Sequence, residues 1–355
     1  MRGSIRQLIL FDVADEIRLD AVREALGTSE SGRKPAFSRP APEYVRFERP
    51  PVIESLAVDH PEVRCEARVK YYDYGVVSIE LYQQFSLDWP ELVEYSAAVL
   101  ADPSTEQRAR DLLTPRLAKA AAALMNPYRS WLTEDYVILT VIPDPPNDNA
   151  AELLARHGAE IAQIVRGENR PLAEAECREI LDAKLSYYPN DLLVAGWSAA
   201  FVFDTAAAAE PTIQLLEYAN TQLLEFRHYD DLLTGVLREV YRSLDKGTGM
   251  WRRWGLAGEA EKLNTVRLDV TEIAERTETA IKFLGDMFYA RMYRLAAQRV
   301  GVPDYRRLVD QKLQTAGELY QFMVDRFDQG RGFFLEVVVV IILLIEIVFL
   351  FRGKG

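Results

Sequence analysis

The chain has 355 residues, 49% of them apolar and 27% charged, enough for one large or two modest folded domains with a sizeable core. Its net charge of −12 argues against a general nucleic-acid binder, which needs a surplus of Lys and Arg to meet phosphates. Two distant cysteines, Cys65 and Cys177, cannot form a disulfide framework, and three histidines leave little for histidine-based catalysis.

In chain order, Arg6 to Val13 reads as a strand and Leu19 to Leu26 as a short helix. The Ser-, Gly- and Pro-rich stretch from Gly27 to Pro42 reads as a loop. Cys65 to Tyr82 alternates apolar and polar residues around Asp73-Tyr74-Gly75, as a hairpin does. Helices are predicted over Trp89–Leu100, Thr105–Leu124, Ala150–Val165 and Ala173–Asp182, and a strand over Asp135–Ile142. Leu185–Tyr188 and Leu192–Phe203 form a second predicted hairpin. Hairpins interleaved with helices, without βαβ crossovers, imply an α+β domain over residues 1–205 with a mostly antiparallel sheet and flanking helices.

Residues 206–332 change texture. Leu216, Ala219, Leu223, Phe226, Leu233, Leu237, Val240 and Leu244 keep alternating spacings of three and four, broken once by Asp230. Leu263, Val266, Val270, Ile273, Thr277, Ala280, Leu284 and Met287 do the same. Such seams are coiled-coil-like. Val300-Gly301-Val302-Pro303-Asp304 supplies a Gly stop and a Pro start, so the region is expected to be a long helical hairpin.

From Phe333 to Phe351 runs a 19-residue apolar stretch, close to the length of about 20 that a membrane-crossing helix needs. It predicts a single C-terminal transmembrane helix, a tail anchor, with the bulk of the protein on the cytoplasmic or matrix-like side. Glu336 and Glu346 interrupt the stretch, and a carboxylate as deep as Glu346 implies a helix partner in an oligomer, a relay, or a protonated side chain. Paired antiparallel helices of unequal length would drag Glu261 into the bilayer, so a bend at Gly330-Arg331-Gly332 or a splayed start to the second helix is expected. Trp251, Arg252, Arg253 and Trp254 would then suit a headgroup zone, or pack on the globular domain.

Catalytic motifs are absent. No Walker loop, GxGxxG, GxSxG or HExxH occurs, and Gly196-Trp197-Ser198 lacks the second glycine of a nucleophile elbow. Glu225-x-x-His228 is one i,i+3 pair where a di-metal bundle needs two, so no metal or cofactor is expected. Arg291, Arg294, Arg299, Arg306, Arg307 and Lys312 surround the expected hairpin turn with only Asp304 and Asp310 opposed, a cluster suited to phosphates or an acidic partner.

The order of motifs resembles the "required for meiotic nuclear division" family, the domain of unknown function 155. The resemblance rests on Tyr74-Gly75-Val76-Val77, on Leu268-Asp269-Val270-Thr271, and on Leu335-Glu336 followed ten residues later by Glu346. The histidine-rich turn of that family is replaced here by Asp328-Gln329-Gly330-Arg331. The resemblance implies a membrane-held protein without established catalysis, linked in mitochondria to translation, and carries over no catalytic residue. The expected function is a membrane-tethered scaffold or adaptor that binds a protein partner or self-associates. The alternatives are an enzyme with carboxylates such as Asp73, Glu80 or Asp204 converging in a sheet pocket, and a ribosome or RNA contact at the basic turn.

Overall fold

A computed structural model describes residues 1–27, 49–59, 64–143, 149–245, 261, 263–268, 270–271 and 287–352. In chain order the elements are β1 (Arg2–Ile17), α1 (Leu19–Leu26), β2 (Val52–Asp59), β3 (Arg64–Tyr71), β4 (Val76–Ser86), α2 (Trp89–Leu100), α3 (Thr105–Lys119), β5 (Leu124–Val141), α4 (Ala150–Arg166), α5 (Glu174–Asp182), β6 (Lys184–Leu185), β7 (Leu192–Ala195), β8 (Ala199–Phe203), α6 (Ala206–Asp245), α7 (Met287–Val300) and α8 (Val302–Arg352). The chain divides into two compact units. The first comprises Met1–His228 with Arg276–Tyr305, the second Tyr229–Glu275 with Arg306–Gly355.

In the first unit, eight strands form one sheet in the order β2-β3-β4-β1-β5-β8-β7-β6. All neighbours are antiparallel except β5 and β8, which run parallel. β1 lies at the centre and is buried on both faces. Its odd-numbered residues enter two apolar clusters: Ile5 packs with α2 and α4, whereas Ile9, Phe11 and Val13 pack with α1 and α3. Its even-numbered residues include Ser4, Arg6 and Asp12, all buried on the opposite face. That second face is where α6 meets the sheet. The helix is buried all round from Pro211 to Phe226, apart from half-buried Gln214, because α7 meets it too. Tyr293 of α7 hydrogen-bonds Gln222, and its ring lies 5.9 Å from that of Tyr218.

Local chemistry sets the ends of these elements. Asp88 and Glu91 close a capping box at the start of α2, with Pro90 in its first turn. Gly167 ends α4 at φ 76°. Gly75 turns β3 into β4 at φ 96°, and a Cβ there would stand 1.8 Å from the carbonyl oxygen of Ala14.

In the second unit, Leu237 and Val240 of α6 pack with Leu263 and with Ala316 and Met323 of α8. Lys312 of α8 reaches Asp230 at 2.5 Å and Thr234 at 2.5 Å. α8 is one continuous helix through Gly330 and Gly332.

The expected membrane anchor is not supported. Among the described residues no helix is long and apolar enough to cross a membrane. The apolar run over 333–351 is instead the end of a 51-residue helix that also carries the polar residues before it, and two carboxylates fall within the run. The transmembrane helix, the tail-anchored description and the single-pass localisation are corrected accordingly. The side chains of Glu336 and Glu346 lie outside the described residues.

The β3–β4 turn gives a direct test. Gly75→Ala combines positive φ with a backbone clash and is expected to cost about 2–3 kcal/mol. Gly27→Ala, also at positive φ but with nothing within 4 Å of its Cβ, should cost only about 1 kcal/mol. Urea unfolding of the two variants, compared by midpoint, checks the difference.

Candidate ligand cleft

The polar face of the sheet is closed. Glu80 on β4 lies directly opposite Leu8 of β1 and Arg68 of β3, so its carboxylate meets the side chains of both neighbouring strands. Lys70 approaches it to 2.9 Å, Arg6 to 3.4 Å and Arg68 to 3.5 Å. From α6, Glu210 pairs with Arg6 at 2.8 Å, and Glu217 pairs with Lys70. Three cations thus meet three carboxylates, and Glu80, Glu217, Lys70 and Arg6 are all buried. Buried charge is tolerated only when paired in this way. Burial works against ionised Glu80, but Lys70 and Arg6 outweigh it and hold its pKa down at about 2. Burial likewise opposes charged Lys70, yet Glu217 and Glu80 push its pKa above the usual lysine value.

The network is structural, because α6 leaves no room for a ligand at Glu80. The sheet carboxylates proposed for catalysis are therefore not gathered in one pocket. Asp73 lies 3.5 Å from Arg49, and Asp204 accepts the backbone N–H of Thr205. Farther along α6, His228 does not join Glu225 in a metal site. Its Nδ1 stands 2.7 Å from Oδ2 of buried Asp12, and its ring stacks on Tyr128 with centroids 4.7 Å apart. Burial raises the Asp12 pKa, with His228 acting in the opposite sense. No cluster of three or more metal-binding side chains occurs among the described residues.

The helix-covered face is different. Along β1 the apolar sequence Ile5, Ile9, Phe11 is interrupted by Gln7, and along β5 the apolar series ends at Val137, with Asp135 next on that face. These two polar residues fall where the two apolar clusters meet. Above them the chain passes from α2 to α3 through Ala101–Ser104. The result is a cleft of about 250 Å³ floored by Gln7, Ile9, Asp135 and Val137 and rimmed by Val99–Pro103, Thr105 and Glu106.

The carboxylates of Asp102, Glu106 and Asp135 line this cleft, and no basic side chain does among the described residues. Two are engaged. Asp102 accepts from the Ser104 N–H at 2.9 Å, the Ser104 hydroxyl at 2.7 Å and Arg108 at 2.8 Å, which hold its pKa at about 2. Glu106 pairs with Arg110 at 2.8 Å, whereas the Glu134 side chain is on the opposite face, where it pairs with Arg227. Asp135 has no ion-pair partner among the described residues. Burial, and then the charge of Glu106, raise its pKa above the ordinary 3.8.

The residues singled out from the sequence are not brought into this cleft. Arg299 pairs with Glu179 at 3.6 Å, and Arg291 lies over the Phe288 ring. Arg294 donates to the Ala290 carbonyl, and Arg306 stands 3.9 Å from Asp310. Lys312 faces Asp230 as described, while Arg307 lies on the exposed side of α8. Trp251, Arg252, Arg253 and Trp254 lie outside the described residues. Gln7 and Asp135 were missed because each is one polar residue in an otherwise ordinary strand. The available signal was that Gln7 interrupts the apolar series of β1 and Asp135 ends that of β5.

Residues 2–210, which include every residue of the cleft, match the family described as "Uncharacterized protein MJ0711, N-terminal domain". The chain belongs to that family. A relative, "Uncharacterized protein MJ0711" of Methanocaldococcus jannaschii, is 20% identical over 188 residues, 53% of this chain and 58% of that protein. The chain thus spans less than two thirds of the MJ0711 protein. No solved structure matches. This assignment replaces the resemblance to the meiotic nuclear division family. The motifs behind that resemblance report local structure: Tyr74-Gly75-Val76 is a hairpin turn that needs positive φ at Gly75, and Leu335-Glu336 and Glu346 sit on one long helix.

Lys70 is the test of the buried network in this MJ0711-family domain. Lys70→Ala strands two buried carboxylates and is expected to cost about 3–5 kcal/mol at pH 7. Because Glu80 is depressed from 4.5 to about 2, its stabilising contribution is present above pH 4.5 and lost as pH falls toward 2. The deficit of the variant should therefore shrink over that window, read as the gap between urea midpoints at each pH.

Proposed function

We propose that the MJ0711-type unit is a binding domain that takes a small cationic ligand, a primary ammonium or a guanidinium group, in the cleft between α2, α3 and the sheet. The observation that carries this reading is Asp135, a carboxylate without an ion-pair partner among the described residues, in a cleft that those residues line with acids and no base. Gln7 and Thr133 add hydrogen-bonding groups beside it, and Ile9 and Val137 add an apolar floor. A few convergent polar groups on an apolar floor are the usual make-up of a small-ligand site. At about 250 Å³ the cleft suits a metabolite rather than a polymer.

Titration calorimetry with small primary amines, diamines and guanidinium compounds tests this. Asp135→Asn should lower affinity by about tenfold or more, since it removes the carboxylate charge that would meet the cation. Because the Asp135 pKa is raised, ligand affinity should hold at neutral pH and begin to fall, on acidification, above the ordinary carboxylate range. Equal affinity of wild type and Asp135→Asn would remove the reading.

A second reading is favoured by a separate observation. Val339, Val340, Ile342 and Leu343 of α8 are each about half exposed, and contiguous exposed apolar groups mark interaction surfaces. This supports an adaptor whose second unit contacts a protein or a second copy. Sedimentation velocity should show association that a Val340→Lys, Leu343→Lys variant loses; an unchanged monomer in both would count against it.

A further inference from the structure

The cleft between α2, α3 and the sheet is lined by carboxylates from different elements. Asp135 lies on its floor, where its backbone pairs with Ile9 of β1. Glu106 stands on its rim, in the first turn of α3. The two act on each other, because the Glu106 charge adds to burial in raising the Asp135 pKa. The third acid, Asp102, is taken up by Ser104 and Arg108. Ile9 and Val137 give the same floor an apolar surface.

Glu106 is paired, but in a way that a ligand can share. Its partner Arg110 comes four residues later on α3 and meets Oε1 at 2.8 Å. The Glu106 side chain is 51% exposed, and exposed pairs of this spacing contribute little. A carboxylate also has acceptor capacity for more than one donor. Arg110 does not depend on Glu106 for its position. Its guanidinium lies 5.2 Å from the Phe11 ring and 5.1 Å from the Trp131 ring. Those rings meet edge-on with centroids 5.9 Å apart, and Phe11 is buried, so they form a fixed seat for the cation. An arriving ammonium can therefore take a Glu106 oxygen while Arg110 keeps its seat.

We propose that the ligand of this cleft is a short aliphatic diamine, with one ammonium at Asp135, the other at Glu106, and its methylenes over Ile9 and Val137. The proposal rests on the reading of the cleft as a cation site and adds the residue that selects among cations. A monoamine engages Asp135 alone. The second ammonium of a diamine reaches Glu106 as an intramolecular event, so it adds affinity without a second loss of translational freedom. It also relieves the repulsion between the two carboxylates, which a single charge does only at one end. A metal ion fits less well. It needs several oxygen or nitrogen ligands at once, no group of three such side chains occurs among the described residues, and the apolar floor offers it nothing.

Titration calorimetry on the full chain with putrescine and butylamine, which share a chain length and differ by one ammonium, tests the proposal. Putrescine should bind about tenfold tighter or more. Glu106→Gln should remove that preference while moving butylamine affinity by no more than about threefold. Asp135→Asn should weaken both amines. Equal binding of the two amines by the wild type, or a preference for putrescine that persists in Glu106→Gln, would overturn the diamine assignment and leave the cation site standing. Failure of either amine to bind would overturn both. Crystals soaked in putrescine give a reading independent of any variant: nitrogen atoms at both Asp135 and Glu106 support the assignment, and a ligand with one end in solvent, or none, overturns it.

Discussion

One strand carries the architecture. β1 is sixteen residues long, pairs with β4 on one side and β5 on the other, and is buried on both faces. Its odd residues must sit in apolar clusters and its even residues must reach Glu80, Glu210 and His228. A slip of one residue would place Arg6 and Asp12 among Leu92 and Leu113 and leave Ile5 and Ile9 beside Lys70 and Glu80. Few alternative registers are as costly, because both errors occur at once. The pairing of β1 therefore fixes β3, β4 and β5 around it, and the position of the cleft between α2, α3 and the sheet follows from that order.

That cleft reflects how charge is distributed over these faces. On the face under α6, three cations and three carboxylates cancel in place. On the other face Asp135 has no paired cation among the described residues, and it stands where two apolar clusters fail to join. A carboxylate there weakens the packing that could otherwise run continuously from α2 to α3. The chain's net charge of −12 has the same sign as the cleft.

Much of the fold was legible in the sequence, and the failures have physical causes. The β3–β4 hairpin announced itself through alternation and Gly75. β5 was seen only from Asp135 onward, because its first half, with Met125, Asn126 and Pro127, is largely exposed and lacks alternation. β2 drew no strand signal, since Ile53, Glu54 and Ser55 do not alternate cleanly and the strand lies at the sheet edge. Arg6, Lys70 and Glu80 occupy alternate positions that resemble a wet sheet face, and nothing in those strands announces that a helix covers them. The seam from Leu216 to Phe226 was visible as an apolar stripe, but its spacing does not state what it packs on. The cleft was the least legible part, since it is formed by residues 7, 102–106 and 133–137 that only the strand order brings together.

The polar stripe of α6 carries one more piece of information. Glu210 meets Arg6, Glu217 meets Lys70, Thr221 meets Tyr74 at 2.9 Å, and His228 meets Asp12. The spacings are seven, four and seven residues, which at 100° per residue return to within about 20° of one line along the helix. Four contacts on one line mean that the helix can be laid on the sheet in one rotation only. A turn of one residue would move all four away together and put apolar side chains against Lys70 and Glu80. Buried ion pairs contribute little net stability compared with apolar packing of equal volume, so their return here is orientation. A helix buried on every side from Pro211 to Phe226, except at half-buried Gln214, has little hydrophobic preference for one face over another. The charges supply the preference that the apolar residues cannot, and through it they set where α6 begins, and hence the wall that Thr205, Ala208 and Thr212 give to a further cleft beside β7, β8 and α7.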